Sequence, residues 1–504
     1  MRTSKRSFDP HAPVAVIDIG SNSSRVVVFR REPAGELRVL AGTRAALRLV
    51  HDVDENRLIT EETIERAIVA LRDFRAIAHG AGAGRMVAIA TAAVREARNG
   101  EAFVGRVRRE LGVSIDIIDG RREARFGFLG ALRGVPVDSG ILFDIGGGSL
   151  QVSTFRHRQK GRSISLPLGA LRLSETFLAS DPPRPREIRD LRDHVRRQLA
   201  QVHLKKLKAG ESLLGTGGTV RNLAKIDQHA RDYPIGRLHG YVLSAERLHE
   251  ITGMLAATRT RRRDAISGLS AERADSIVGG AVAVETLVEL VAAPGVVVSG
   301  QGVREGLAYS MNGTRLPGLA AIKQTSLQSL TERFDGWQDD AAQRRRAITA
   351  ALMRRIEPKA DREIVEAADR AALLLDIGRS IDFFNRHEHV ADIVLATELN
   401  GFTHQEIALL AAVLRRAGHP RADLKVLRPL VGASDGARVE RAAVLLAVAD
   451  DIEERCPRGR PVRVSVTIDR SVIVRVASLE SWRPRTVGRR FERAFGKRLD
   501  VIAG

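Results

Sequence analysis

The sequence predicts an α/β protein of two related halves facing a cleft, followed by an all-helical region and a short C-terminal α+β segment. Three observations predict it. An apolar strand running into Asp-Ile-Gly and then into small residues occurs twice, at 14–25 (Val-Ala-Val-Ile-Asp-Ile-Gly-Ser-Asn-Ser-Ser-Arg) and at 142–151 (Leu-Phe-Asp-Ile-Gly-Gly-Gly-Ser-Leu-Gln). Around each copy, strand-like and helix-like stretches alternate, the pattern of α/β architecture. Past Asn312-Gly313 the alternation stops, and residues 320–455 carry helical periodicity almost throughout.

Taken in order, residues 1–13 have basic side chains and no apolar run, so a short disordered tail is expected rather than a signal peptide. The first half, 14–135, opens with a strand at 14–19, its hairpin partner at 24–30 and a third strand near 36–41. Residues 60–79 set Ile64, Ala67, Ile68, Leu71, Phe74 and Ile77 at helical spacing. Thr60 is the expected N-cap, and Glu61 and Glu62 in the first turn complement the helix dipole. A strand at 86–91 turns back through 93–98, a helix follows at 101–111, and a strand at 113–118 ends at Asp119, a residue type that caps the next helix.

The second half, 136–312, repeats the opening with strands at 141–145, 151–156 and 161–168. A helix at 188–207, a short strand at 212–215 and a Gly-rich turn opening another helix come next. A long helix at 273–291, a strand at 296–299 and a segment at 302–310 close it. Residues 313–504 form the helical domain, with strand-like alternation at 462–476 and a basic end at 483–498 that reads as a solvated face.

The chain has 504 residues, 44% hydrophobic and 28% charged, an ordinary globular balance in a chain too long for one core. Its one cysteine, Cys456, excludes a disulfide framework and fits a reducing cytoplasm. The longest apolar stretch, 277–298, is broken by Glu285, Glu289 and Pro294, so a membrane span is not expected. A formal net charge of +20 predicts attraction to polyanions. Charge does not choose among nucleic acid, acidic lipid and inorganic polyphosphate, and arginines spread along the whole chain also fit a bias of composition. Aromatic residues are only 4%, too few for base-stacking platforms, which argues against single-stranded nucleic acid.

The repeated turn offers chemistry. Glycines let backbone N–H groups converge on an anion with no Cβ in the way. Gly146, Gly147, Gly148 and Ser149 therefore form a candidate phosphate cradle, and Ser21, Asn22 and Ser23 a second. Either turn alone reads equally well as a tight hairpin; the repetition favours a shared ligand. Arg95 offers a planar guanidinium for phosphate oxygens, and Arg25 reads as a substrate contact or as a brace for its hairpin. Gly215-Thr216-Gly217-Gly218-Thr219 is a third Gly-rich turn, a weak signal by itself. No Gly-x-x-x-x-Gly-Lys-Ser/Thr motif is present, which excludes an NTPase of that P-loop type.

The paired turns resemble the phosphate loops of the actin, Hsp70 and sugar-kinase superfamily. Within it, Asp18-Ile-Gly-Ser-Asn-Ser23 with Asp144-Ile-Gly-Gly-Gly-Ser149 is similar to the exopolyphosphatase and guanosine pentaphosphate phosphohydrolase family. Ala90-Thr-Ala-Ala-Val-Arg-Glu-Ala-Arg-Asn-Gly100, Ile117-Ile-Asp-Gly-Arg-Arg-Glu-Ala-Arg125, His239-Gly-Tyr241 and Glu272-Arg-Ala-Asp275 extend the resemblance over residues 14–310. It implies two ribonuclease-H-like domains, Mg²⁺ as cofactor, a homodimer, and removal of terminal phosphate from linear polyphosphate or from guanosine pentaphosphate.

By the same resemblance, Glu123 matches the glutamate that orients and deprotonates the attacking water, although Arg121, Arg122 and Arg125 around it also suit a simple ion-paired helix residue. Asp144 matches a Mg²⁺ ligand, Asp18 supports the metal or the water from the facing loop, and 215–219 lies where nucleotide-using relatives hold adenosine. Two departures from the family pattern stand out. The acidic residue before the glutamate is replaced by Arg122, which predicts a more positive site. A metal-side glutamate is replaced by Gln151, whose amide oxygen can coordinate but carries no charge, so weaker Mg²⁺ affinity is predicted. These departures keep open a catalytically weak polyphosphate- or alarmone-binding regulator, and a sugar-kinase type of activity is a further alternative.

The helical part resembles the HD-type domain of long family members through Leu375-Asp376-Ile377-Gly378, Asn385-Arg-His-Glu-His389, His419 and Asp450. An HD site holds its metals with His and Asp side by side. Leu375 stands at the paired His position, so no metal is expected there, and His387 and His389 read as packing or phosphate-facing residues.

Overall fold

The computed structural model describes residues 12–503 apart from 312, 314, 461, 478, 480, 481 and 483. The tail expected at 1–13 lies, but for its last two residues, outside the described residues. The chain divides into two compact units: residues up to Asp232 with Leu238–Ser326, and Tyr233–Arg237 with Leu327 onward.

The first unit holds both halves of the sequence repeat. β1 (Val14–Ile19), β2 (Ser23–Arg31), β3 (Leu37–Ala46), β4 (Arg85–Ala90) and β5 (Ile115–Ile117) form a sheet in the order β3-β2-β1-β4-β5. β6 (Gly140–Ile145), β7 (Leu150–Arg156), β8 (Gln159–Leu166), β9 (Ser212–Thr216), β10 (Val242–Ser244) and β11 (Gly295–Val298) form the other, in the order β10-β11-β9-β6-β7-β8. Both follow one plan. β1 pairs antiparallel with β2 and parallel with β4, as β6 does with β7 and β9. The repeat extends to register, Asp18 facing Arg25 and Asp144 facing Gln151.

Strands covered on both faces read as unbroken apolar runs, and Ala15, Val16 and Ile17 are fully buried in β1. The helix Glu61–Gly80 begins as expected, Thr60 Oγ1 accepting from Thr63 N, and buries Ile64, Ala67, Ile68, Leu71 and Phe74 against the first sheet's core.

Several elements differ from expectation. The helix read at 188–207 is Pro185–Ala200, started by Pro185 and by Glu187 accepting from the Arg184 N–H. Its end is fixed at His203, whose left-handed φ of 52° turns the chain away from the helix axis. The long helix begins only at Ile277, after a 3₁₀ turn at Ala271–Arg273. Helices Leu49–Asn56, Ala170–Phe177 and Ala245–Ala257 carry no expectation from the sequence.

In the second unit, helices Asp339–Ile356, Arg362–Leu374, Arg386–Ala396, His404–Gly418 and Gly436–Glu453 bury a core that includes Leu352, Ala368, Leu410 and Leu446. The stretch expected to alternate as strand, 462–476, is β12 (Val464–Ile468) and β13 (Ser471–Val476), paired antiparallel as a hairpin. The basic end folds as a helix, Thr486–Phe495, and β14 (Arg498–Ala503), which adds parallel to β13, with Arg485, Arg489, Arg493 and Arg498 exposed as expected of a solvated face and Arg490 the exception among the described residues. Arg490 is buried there and bonds Glu440 at 2.9 Å.

Guanidinium groups occupy the surroundings of the HD-like aspartates. The fully buried Arg345 donates to Asp376 and to Asp450, each at 2.8 Å, and Arg386 donates to Asp450 at 2.5 Å and to Glu454 at 2.8 Å. Burial pushes the Asp450 carboxyl up, but Arg345 and Arg386 outweigh it and hold that group below the usual range. His387 lies 3.8 Å from Asp450, and burial lowers its proton affinity to a pKa of about 4. Among the described residues of the whole chain, no helix is long and apolar enough to cross a membrane.

Candidate active site

Two hairpin turns meet at the C-terminal ends of β1 and β6. Gly20, Ser21, Asn22 and Ser23 come from the first, Gly146, Gly147 and Ser149 from the second, and a cavity of about 130 Å³ opens between them. The turns touch: a Cβ on Gly147 would stand 2.9 Å from the Asn22 Cβ, so glycine is required for this approach. Each turn is tied from behind. Val50 N donates to Ser21 O at 3.0 Å and Arg48 N to Asn22 O at 2.9 Å, while Ala170 N donates to Gly146 O at 2.9 Å and Leu171 N to Gly147 O at 3.0 Å. These bonds set the turns before a ligand arrives, which is the preorganisation an anion site needs.

Glu123 enters from the first turn of the helix Gly120–Arg133, whose cap is Asp119 accepting from Arg122 N at 2.7 Å. Its side chain is 12% exposed. Oε1 accepts from Gln151 Nε2 at 3.2 Å, and the same nitrogen donates to Ser149 Oγ at 2.9 Å. Arg95 Nη1 lies 3.5 Å from Oε2 but gives its hydrogen bond to Ile118 O at 2.7 Å, leaving Oε2 buried with no donor among the described residues. Burial pushes the Glu123 carboxyl up to about 7; Arg95 opposes the shift, and Asp144 and Asp18 reinforce it. A carboxylate with one oxygen held and the other undonated, binding a proton near neutrality, has the geometry that general-base chemistry asks for.

Asp18 and Asp144 are the penultimate residues of β1 and β6. Burial pushes Asp144 up to about 6, opposed by Arg221 and reinforced by Asp18, and burial likewise raises Asp18. Gly217, at φ 101°, passes close: a Cβ there would stand 2.9 Å from Asp144 Oδ1. Two buried carboxylates that disfavour each other's ionisation suit a hard divalent cation, which favours the charged form of both. Among the described residues no group of three His, Cys, Asp or Glu is placed to hold a metal ion unaided.

Four arginines line the same cavity: Arg25, Arg221, Arg273 and Arg304. Burial, then Arg304 and Arg221, lowers Arg25 to about 9; burial, then Arg304, lowers Arg221 to about 10. Burial and Arg44 lower Arg273. Arg273 is held at the cleft by its neighbours, since Glu272 pairs with Arg44 at 3.2 Å and Asp275 with Arg48 at 2.9 Å, clasping the two halves.

The expected site residues Asp18, Ser21, Asn22, Ser23, Arg25, Glu123, Asp144, Gly146, Gly147, Ser149 and Gln151 all line this cavity, as do Thr216, Gly217 and Gly218 of the third Gly-rich turn. Gly148, Arg95, Gly215 and Thr219 are not among the lining residues. Gly148 packs toward Val50, Gly215 sits in β9 between Phe143 and Val296, and Thr219 is fully buried beside Gly280. Arg95 stands behind Glu123. The expectation that Arg122 makes the site more positive does not hold, because its guanidinium turns outward to Asp116, at 2.6 Å. His239 and Tyr241 brace the fold: His239 Nδ1 accepts from Gly300 N at 3.2 Å, and Tyr241 donates to Asp227 at 2.6 Å.

Arg221, Arg273 and Arg304 were not foreseen as cleft residues. Arg221 stands two residues after the third Gly-rich turn, and Arg273 lies within Glu272-Arg-Ala-Asp275, so each had a signal; Arg304 had none beyond Gly302, two residues before it.

Comparison with known proteins gives this geometry a context. Residues 27–315 match the Ppx/GppA phosphatase family, and residues 322–449 match Ppx/GppA phosphatase domain III. The chain is 32% identical to Exopolyphosphatase 1 of Mycobacterium tuberculosis over 331 residues, which is 65% of this chain and 96% of the relative. It is 32% identical to Exopolyphosphatase 1 of Mycobacterium leprae over 319 residues, 62% of this chain and 94% of that one. Among solved structures, an exopolyphosphatase from Cytophaga hutchinsonii superposes with a TM-score of 0.56 at 26% identity, covering 61% of this chain and all (100%) of that one. The Aquifex aeolicus Ppx/GppA family member gives 0.52 at 28% identity, covering 60% and 97%.

Proposed function

Because the chain belongs to the Ppx/GppA phosphatase family and is a hydrolase, we propose that it is an exopolyphosphatase, releasing terminal phosphate processively from linear inorganic polyphosphate. The observation that carries this is the set of four arginines lining the cleft, Arg304 buried and Arg25, Arg221 and Arg273 half-buried. Their positive charge exceeds that of the three carboxylates facing them, two of which ionise only near neutrality. An excess of like charge gathered in a half-buried cleft is stabilised by a ligand carrying several negative charges, and each further phosphate adds attraction. The Exopolyphosphatase 1 relatives support the same substrate.

In this reading the terminal phosphoryl group rests between the turns at Ser21–Ser23 and Gly146–Ser149, its oxygens neutralised by Arg25, Arg221, Arg273 and Arg304. Glu123 orients a water and takes its proton at the undonated Oε2, while Gln151 and Arg95 hold the carboxylate in place. The leaving group is a weakly basic phosphate and needs no dedicated acid. The residues fit Mg²⁺: Asp144 and Asp18 offer only oxygen, and such an ion completes its shell with water and substrate oxygens. Bound there, Mg²⁺ would supply charge neutralisation at the phosphoryl oxygens. A homodimer belongs to the same proposal and is read by sedimentation.

The test is phosphate release from long-chain polyphosphate and from guanosine pentaphosphate, for the wild type and Glu123→Ala. Release from polyphosphate that disappears in the variant is expected. Faster release from guanosine pentaphosphate would reassign the substrate, and release from neither, with polyphosphate still bound, would leave a binding protein.

A further inference from the structure

A second cavity, of about 330 Å³, opens on the sheet of the second half, at the opposite end of β6 from Asp144. Its inner wall is apolar: Ile141, Val152 and Phe155 from β6 and β7, with Ile164 from β8 and Val202 beside them. Ile141, Val152, Phe155 and Val202 are each no more than 5% exposed. The outer wall is the strap that leaves the helix Pro185–Ala200, His203-Leu-Lys-Lys-Leu-Lys208. Its left-handed turn at His203 lays the strap along the sheet, with Leu204 and Leu207 half-buried and Lys205, Lys206 and Lys208 exposed.

The charges here are one-sided. Lys205, Lys206 and Lys208, with Arg162 of β8, make no ion pair among the described residues. The acid on this wall, Glu211, accepts from the Lys208 backbone N–H at 2.9 Å. Protein interiors rarely leave apolar walls unfilled over such a volume, and a cavity of this size lies at the lower bound of small-molecule sites.

We propose that this cavity binds a small amphiphilic anion, an alkyl chain of roughly ten heavy atoms carrying a carboxylate or phosphate, at a site separate from the catalytic cleft; the size follows from about 30 Å³ per water-sized atom. The alkyl body covers the Ile141–Val152–Ile164 wall, and the head group meets the lysines. A bare phosphate chain would satisfy the rim and leave the space beside that wall unfilled. A neutral alkane would fill it and leave the cations without a counter-charge. Each buried methylene contributes about a fourfold gain in affinity.

The test is calorimetric titration of the full chain with decyl phosphate, with decanoate and with inorganic phosphate. Two variants accompany it: Lys205→Glu with Lys206→Glu, and Thr154→Trp, where an exposed residue lining the cavity fills it from outside. Saturable binding of decyl phosphate or decanoate, at least tenfold tighter than inorganic phosphate and weakened tenfold or more in both variants, is expected. The stronger of the two amphiphiles identifies the head group. Both variants should release phosphate from the catalytic substrate as the wild type does, so failure of this site is distinguishable from failure of the proposed activity. No saturable binding, binding unchanged in the variants, or inorganic phosphate binding as tightly as decyl phosphate would each overturn the proposal.

Discussion

The side chain of Gln151 donates a hydrogen bond to Glu123, Nε2 to Oε1 at 3.2 Å. The residue that departs from the family pattern therefore touches the candidate base directly. An amide donor favours the ionised carboxylate, whereas a glutamate at the same place would oppose it with a like charge. Gln151→Glu should move the acid limb of the kcat/KM profile upward by about half a pH unit or more, and Gln151→Met should move it less. A limb that stays in place in both variants would show that Glu123 is not the group titrating.

The wild-type limb is expected near neutrality, and lower where a cation neutralises Asp144 and Asp18. Burial places Glu123 at about 7, and a base works only when deprotonated, so activity should fall about tenfold per pH unit below that point. Glu123→Gln keeps the shape, removes the base, and should lower phosphate release by about 10²- to 10⁴-fold while polyphosphate still binds.

The same group links stability to pH. Its folded pKa of about 7 lies above the ordinary 4.5, so the folded state retains a proton that the unfolded state loses in between. This contribution is complete below 4.5 and is lost as pH rises through 7, amounting to roughly 3 kcal/mol. In urea titrations with chelator present, Glu123→Gln should be more stable than the wild type at pH 8 and level with it near pH 4.5. A variant less stable at both pH values would contradict the burial argument.

Much of this site was legible because the sequence writes the same hairpin twice. Asp18 and Asp144, with the small residues that follow, need only strand pattern and glycine chemistry to be found. The arginines opposite them were harder: Arg221, Arg273 and Arg304 come from three later segments, and nothing local to an arginine says whether it faces a cleft or water. Arg122 shows the converse, since adjacency to Glu123 placed it in the site on paper while Asp116 draws it outward. Helix ends failed for a related reason. The pattern Leu199, Val202, Leu207 continues past Ala200, but the left-handed His203 is a backbone choice that side-chain periodicity does not encode. In the C-terminal segment, Arg490 hid a structural helix because a buried, paired arginine reads as an exposed one.

Arg221 offers a direct test of the polyanion reading. It lines the cleft, and Arg221→Gln removes one half-buried cation while keeping a polar, hydrogen-bonding side chain. KM for long-chain polyphosphate should rise about tenfold, and the slope of log KM against log salt should become shallower by about one counterion. A fall in kcat alone, with KM and salt slope unchanged, would place Arg221 in the fold rather than on the substrate.

In the helical unit, Arg345 donates to both Asp376 and Asp450, and Glu453 lies 3.5 Å away. All three acids are nearly inaccessible, so Arg345→Ala removes the guanidinium they share and leaves Asp450 to Arg386, Asp376 to Arg379 and Glu453 to Arg344, buried negative charge that is neutralised less completely. Breaking a buried pair from one side costs about 3 to 5 kcal/mol, and urea unfolding of the variant at pH 7 should show a loss of that size. The loss should shrink on acidification, because carboxylates deprived of their guanidinium can then protonate. It should also shrink on adding a divalent cation, which can take up the place between Asp376 and Asp450, whereas the wild type, with Arg345 already there, should gain no stability at this site. A loss below about 1 kcal/mol, or one unchanged by pH and cation, would mean that Arg345 fills space rather than neutralising these aspartates.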